Sequence, residues 1–336
     1  MPQAAAQGEA GVKHDRTWGQ ATLVGMAGKA VRDLRRPSFP VDVSTPPGDM
    51  TADQPGRYPL DLRPMTAGST LDHERVVVTR AVTGATYRNP VSVSLYALAQ
   101  HTGALAADGH PSTPDQPSRG VQALLTQAGW LRASQDGNGG WRYPVPVPRY
   151  GVRPGWYSAM AQGLAVSVML RGYATTGQRS FLDASEGAVE LMLRPLDAGG
   201  CSHYDQLGRP FPEECPSDPA SHILNGAVFA LFGLCELSRH RNGTVHERVA
   251  DRLRDSLAAF DLGYWTRYDL RHAAPASFAY HCLHVALLTA AGRVLADPRW
   301  PTVALAWDRY TRSPASRLRA AAGKGRFVLE ERRARS

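Results

Sequence analysis

The chain has 336 residues, 43% of them apolar and 20% charged, which is the make-up of an ordinary globular protein with one large core or two modest ones. Lys and Arg (38) exceed Asp and Glu (30), a formal charge of +8 that suits a polyanionic partner, but the charges are scattered and do not by themselves separate nucleic acid, acidic glycan and anionic lipid. Cys201, Cys215, Cys235 and Cys282 show neither CxxC pairing nor zinc-ligand spacing, and no run approaches the roughly eighteen apolar residues of a membrane span, so disulfides, a structural metal and a spanning helix are not expected.

Residues 1–16 are small and polar, without the apolar run of a signal peptide, so a cytoplasmic protein is expected. From Trp18 to Arg36, Leu23, Ala27, Ala30 and Leu34 recur at helical spacing, with Arg32, Arg35 and Arg36 at the end. This reads as an amphipathic arm packed on the body, or as a membrane-surface helix. The Pro-, Asp- and Gly-rich stretch 37–60 reads as an extended connection, and YPLDLRP and ERVVVTRAV read as short strands. From Pro90 onward the spacing predicts helices over 90–103, 118–134, 156–176, 179–194, 221–240, 244–260, 279–292 and 299–311. Thr176-Gly177 and Asn242-Gly243 are tight breaks that make their flanking helices antiparallel hairpins. The expected divisions are an arm and linker (1–57), a short β-containing segment (58–89), a helical body (90–312) and a basic tail (313–336).

A faint repeat of about sixty residues runs through the body, in QDGNGGW ending at Trp141, LDAGGCSHY around Cys201 and FDLGYWTRYD around Trp265. Hairpins repeated at that period close into an α/α toroid whose loops at one end line a cleft suited to sugar chains; alternatively, helices simply stop at Asp and Gly. The fold class expected is mainly α, an α/α barrel of helical hairpins with a short N-terminal β-containing segment.

Three segments carry candidate chemistry. In GWYSAMAQGLAVSVMLRGY the small residues Ser158, Ala159, Ala161, Gly163 and Ala165 admit a neighbouring backbone or a ligand, and Gln162 among them can both donate to and accept from a sugar hydroxyl. In GRPFPEECPSDPASHILNG, prolines stiffen a loop bearing Glu213 and Glu214 that leads into a helix with Asn225; paired glutamates are otherwise solvated surface. YWTRYDLRHAAPASFAYHCLH gathers Tyr264, Trp265, Arg267, Tyr268, Arg271, His272, Tyr280, His281 and His284, rings that could stack on sugars and guanidinium forks that could hold a carboxylate. His281 and His284 at i, i+3 could face a metal ion, but no third ligand motif accompanies them and hydrogen-bonding roles are preferred. No EF-hand-like spacing supports a calcium site.

SAMAQG (158–163), the glutamate pair (213–214), LNG (224–226), YDLRH (268–272) and YHxxH (280–284) together resemble the C-terminal catalytic domain of the glucuronyl C5-epimerases, in order and spacing. Upstream, YPLDLRP and YRNPVSVSLYAL, which contains Asn89, resemble the approach to that domain, so the likeness spans roughly residues 58–312. The resemblance implies an α/α barrel, proton exchange at C5 of a uronate without organic cofactor, and an acidic, heparosan-like polysaccharide as partner in place of nucleic acid, with a homodimer left open; no metal is assigned. By position it assigns Glu214, Tyr268 and Tyr280 to proton transfer and Arg271 to the adjoining substrate-binding motif. Cys215 stands where the family usually has tyrosine, and it could exchange protons itself or be an inert buried thiol.

Abstraction of a proton beside a carboxylate adds charge to a group already negative, so a cation must hold that carboxylate; Arg271, aided by Arg267 or a histidine, is the candidate. Inversion needs acid/base groups on both faces of the sugar, for which Glu214 and Tyr280 are the opposed pair and Tyr268 the reserve. Trp141, Tyr143 and Trp265 are expected as stacking walls, and Gln162, Asn225, Asn89 and His281 as further substrate contacts. Three rivals remain: a polysaccharide lyase using the same abstraction, an epimerase of a small or peptide substrate, and a non-catalytic glycan-binding scaffold.

Overall fold

The computed structural model describes residues 39–44, 55–81, 84–107 and 117–333; the expected helix at 18–36 lies outside these. The described chain is mainly helical, with seven short strands in small antiparallel pairs and a three-stranded sheet. Strands β1 (Asp42–Val43) and β2 (Leu60–Asp61) pair with Asp42 opposite Asp61. Helix α1 (Arg63–Thr66) leads to β3 (Thr70–Leu71), β4 (Val77–Arg80) and β5 (Thr86–Tyr87), with β4 central. Then come α2 (Pro90–Ala107), α3 (Arg119–Ser134), α4 (Ala159–Thr176), α5 (Arg179–Leu193), β6 (Ser202–Tyr204), β7 (Pro210–Pro212), α6 (Leu224–Arg241), α7 (Val245–Phe260), α8 (Phe278–Val294), α9 (Arg299–Arg312) and α10 (Pro314–Arg333). All eight helices expected from 90 to 311 are present; the stretch read as a basic tail contains α10.

These helices divide into two layers. Every residue of α4 from Ala159 to Gly172 and of α6 from Leu224 to Ser238 is buried, the signature of a helix covered on all sides. In α7 the buried residues Val249, Ala250, Leu253, Ser256, Leu257 and Phe260 recur at three- and four-residue steps, and α5 shows the same one-sided pattern. The inner helices α2, α4, α6 and α8 pack side by side in chain order, and α3, α5, α7 and α9 each pack outside the inner helix that precedes them. Four hairpins therefore form an arc, and at its two ends β1 and β2 lie on α8 while α1 lies on α2. Tyr58, Leu60 and Leu62 from this N-terminal stretch are fully buried.

The inner helices run parallel. A Cβ on Gly163 would stand 2.4 Å from the Ala230 Cα, and one on Gly233 would stand 2.1 Å from the Gly163 carbonyl oxygen, so α4 and α6 touch backbone to backbone. Farther along the same helices, Arg171 and Glu236 form a doubly hydrogen-bonded ion pair at 2.9 Å, both wholly buried, with Arg171 also donating to the Gly56 carbonyl. The small residues of SAMAQG thus serve close helix packing at Gly163.

The hairpin breaks are as expected in place and different in detail. Gly177 takes the left-handed conformation at the end of α4, whereas at the end of α6 that conformation falls to Asn242, one residue before Gly243. The three repeat copies each follow an outer helix, and side chains within or just after them bond that helix's last carbonyls. Trp141 Nε1 donates to Leu131 O, Ser202 Oγ to Met192 O, Tyr204 Oη to Leu193 O, and Arg267 to Ala259 O and Asp261 O. An outer helix otherwise leaves those acceptors orphaned where it turns inward.

Candidate active site

Because the inner helices are parallel, their N-termini share one end of the arc, and the candidate residues gather there. Asn89 precedes α2 and its Oδ1 accepts from Val91 N; Ser158 Oγ caps α4 and Ser277 Oγ caps α8, accepting from Tyr280 N at 3.3 Å. Each such terminus carries roughly half a positive charge, so this end of the molecule is pre-set for an anion.

Glu214 sits on the loop between β7 and α6. Asn225 Nδ2, in the first turn of α6, donates to Glu214 Oε2 at 3.1 Å. Gly226 makes this seat: a Cβ there would stand 2.5 Å from the Glu214 Cβ and 2.6 Å from its Oε2. The charge of Glu214 bears on Tyr143 and Tyr268, whose phenols are held well above the ordinary tyrosine value chiefly by burial and then, for Tyr268, by Glu214 and Tyr280. The rings of Tyr268 and Tyr280 meet edge to face with centroids 4.8 Å apart, and both keep part of their surface accessible. Glu214, Tyr268, Tyr280 and Asn225 are thus brought together. Tyr143 joins them from below, its hydroxyl donating to Asn89 Oδ1 at 3.2 Å while its ring face is covered by Trp156 at 4.2 Å.

Cys215 is buried in a small cluster with Tyr150, Val152 and Ile223, against Trp156 and Tyr268. Burial, then Glu214, Glu213 and Asp269, raise its thiol well above the ordinary value, so it is a protonated thiol at neutral pH. Arg271 is half-buried; its Nη1 donates to Tyr150 O and Pro219 O, both at 3.1 Å, and no other atom of its guanidinium is bonded within the described residues. Asp269, fully buried, fixes this corner by accepting from Tyr150 Oη (2.9 Å), Arg149 Nη2 (3.2 Å) and His272 N (2.6 Å).

Other expected contacts are elsewhere. Trp265 is fully buried, stacked on His281 at 3.7 Å with its indole N–H on Ala276 O, so it offers no face to a sugar. His281 is equally buried, between Thr266 Oγ1 and Trp307 O, and burial holds it down to about 4, a neutral core imidazole. His284 shares Thr266 and is held down to about 3. Trp141 is buried and Arg267 points at the end of α7, each occupied by the carbonyls described above. Gln162 is also fully buried, and neither of its amide atoms has a partner among the described residues. Within those residues no three His, Cys, Asp or Glu side chains converge as a metal site, and no helix is long and apolar enough to cross a membrane.

Two residues belong to this site that motif reading passed over. Trp156 is half-buried, packed against the cluster that contains Cys215 and stacked on Tyr143, and Arg149 reaches Asp269 with its guanidinium 5.9 Å from the centre of the Tyr268 ring. The available signal was the loop VPVPRYGVRP, in which a cation and a ring stand between prolines.

Comparison with known proteins identifies the family. A family model described as the D-glucuronyl C5-epimerase C-terminus matches residues 135–309. A D-glucuronyl C5-epimerase of Caenorhabditis elegans is 31% identical over 192 residues, 49% of this chain and 31% of the worm protein. An uncharacterised protein of Methanocaldococcus jannaschii is 23% identical over 137 residues, 38% of this chain and 44% of the archaeal one. The matched stretch is thus less than half the length of either relative. The residues matched by the family model include Glu214, Tyr268, Arg271 and Tyr280, and on that match the chain belongs to the D-glucuronyl C5-epimerase family, through its C-terminal domain.

Proposed function

We propose that this protein is a cofactor-independent epimerase that inverts C5 of D-glucuronate residues to L-iduronate in an acidic, heparosan-like polysaccharide. The observation that carries the reading is the meeting of Glu214, Tyr268 and Tyr280 at the shared N-terminal end of the inner helices. In this reading the four-hairpin arc is a short α/α barrel with the described residues 39–44 and 55–66 lying in the gap between α8 and α2, and the cleft lies at its N-terminal end.

The uronate carboxylate is held by the free edge of the Arg271 guanidinium, aided by the inner-helix N-termini. That cation stabilises the enediolate-like charge formed when the C5 proton leaves, an effect worth several kcal/mol in a water-poor site. Glu214 takes the proton as carboxylate. On the opposite face Tyr280 returns one, with Tyr268 at its edge to relay or replace it; burial and the nearby Glu214 charge keep Tyr268 protonated, as a donor must be. Trp156 supplies the ring face assigned from sequence to Trp141, Tyr143 and Trp265.

The test is proton NMR of heparosan after incubation with the protein in heavy water. Deuterium at C5 and iduronate signals are expected. Unsaturated, ultraviolet-absorbing chain ends would show elimination instead, and binding without isotope exchange would show a scaffold.

A further inference from the structure

The buried neighbour of Glu214 has a hydrogen-bonding pattern that does not close unless it carries a proton. Glu213 is fully buried, with its main chain fixed by Ala159 N to its carbonyl at 3.0 Å and by its own N–H to Cys201 O at 2.7 Å. Its Oε2 lies 2.6 Å from Ser221 Oγ and accepts from His222 N at 2.8 Å. Ser221 Oγ also lies 3.0 Å from Cys215 O. A serine hydroxyl has one hydrogen, and a carbonyl and a carboxylate are both acceptors, so an ionised Glu213 leaves one of these two contacts without a proton. A neutral Glu213 supplies it: the carboxyl donates to Ser221 Oγ, and Ser221 donates to Cys215 O.

The contact at stake holds the loop that carries the proposed chemistry. Ser221 O accepts from Leu270 N (3.3 Å) and Arg271 N (3.4 Å), and Pro219 O accepts from the Arg271 guanidinium. Glu214 and Cys215 lie between Glu213 and Ser221 in the chain. His222 is pinned in the left-handed region at φ 48° by the same arrangement.

We propose, on the functional reading above, that Glu213 is a positioning residue whose neutral carboxyl relays a hydrogen bond through Ser221 to the Cys215 carbonyl and thereby seats Glu214 and Arg271. The surroundings agree. Burial pushes Glu213 up to about 7 against the hydrogen bonds from Ser221 and His222, and Oε1 has no hydrogen-bond partner, standing 3.6 Å from His222 Nδ1. The other titratable or charged groups facing it are His203 of β6 against the His222 ring, Arg252 of α7, Cys201, and Glu214 and Cys215 of its own loop. His222 is itself held down to about 4 by burial and is neutral at the pH concerned. A carboxyl raised in the fold favours the native state below its unfolded value of about 4.5, and this contribution is lost as pH rises through about 7.

The experiment compares the full-length wild type, Glu213→Gln and Ser221→Ala from about pH 5 to 9, reading three quantities: melting temperature, amide hydrogen exchange of residues 214–222 without substrate, and C5 deuterium incorporation into heparosan. For the wild type, melting temperature is expected to fall as pH rises toward about 7 and to level off above it, while loop protection and C5 exchange fall through about pH 7, the last by roughly tenfold. An amide cannot titrate there, nor both donate to Ser221 and accept from His222 N at one atom. Glu213→Gln is therefore expected to lose the pH dependence of all three and to show weakened loop protection throughout. Ser221→Ala keeps the titrating carboxyl, so its melting temperature still falls with pH while its loop protection and exchange no longer follow. A Glu213→Gln profile parallel to the wild type, or a Ser221→Ala loop that still follows the titration, overturns the proposal. Absence of C5 exchange in the wild type would count against the epimerase reading alone, because the other two readouts need no substrate.

Discussion

Trp265 and Tyr268 stand three residues apart in one loop and have opposite fates. Trp265 turns into the body, stacking on His281 and meeting Phe278 at a tilt, while Tyr268 keeps an accessible edge against Tyr280. Substitutions there should separate accordingly. Trp265→Ala is expected to cost about 3–5 kcal/mol of stability through the cavity left behind, read as a shifted urea midpoint, without selectively weakening substrate binding. Glu214→Gln and Tyr280→Phe are each expected to lower C5 exchange by about 10²–10⁴-fold while leaving the circular-dichroism melt near that of the wild type. Retention of exchange by either variant would remove that residue from proton transfer.

Glycines decide how closely the elements approach. Gly226 in α6 gives room to the Glu214 side chain, and Gly163 in α4 gives room to the Ala230 backbone. Gly226→Ala is expected to displace Glu214 and reduce exchange by at least about tenfold, with a stability change near 1 kcal/mol because the side chain it meets is only partly buried and can move. Gly163→Ala meets backbone in place of a movable side chain. Its expected effect is a loss of about 1–3 kcal/mol in denaturant unfolding as α4 and α6 are forced apart. At this scale the repeat also acquires a cause: the residues in and after each Asp- and Gly-containing turn bond the final carbonyls of an outer helix, so rings and cations recur there for capping.

Across the whole molecule, the end opposite the site is fastened by Arg171 and Glu236, with Arg171 also bonded to Gly56 and lying over the Tyr58 ring at 5.8 Å. This ties two inner helices to the N-terminal stretch that lies across the ends of the arc. Arg171→Met leaves a buried carboxylate uncompensated and should cost about 3–5 kcal/mol, whereas the double variant Arg171→Met, Glu236→Leu should recover most of that loss in the same unfolding assay. Equal instability of the two variants would show that the bond to Gly56, and not the ion pair, fastens the base.

The helical body was legible because its signals are local. Burial on every face of α4 and on one stripe of α7 leaves different spacings of apolar residues, and Gly177 and Asn242 mark helix ends in the chain itself. The family motifs likewise picked out Glu214, Tyr268 and Tyr280, which the fold brings to one place. Composition could not say which ring or cation keeps an accessible surface at the N-terminal end of the inner helices. Trp141, Trp265, Arg267 and His281 have the right chemistry for sugar binding, but orphaned helix carbonyls and core packing claim them first. Nor could it assign the neighbouring glutamates: Glu213 is enclosed by Ser221 and His222, brought to it across a loop, while Glu214 meets Asn225 in the first turn of α6. Spacing along the chain determines the helices and the motif positions; exposure, hydrogen-bond partners and the proton on a buried carboxyl depend on residues far apart in sequence, and only the packed arc decides them.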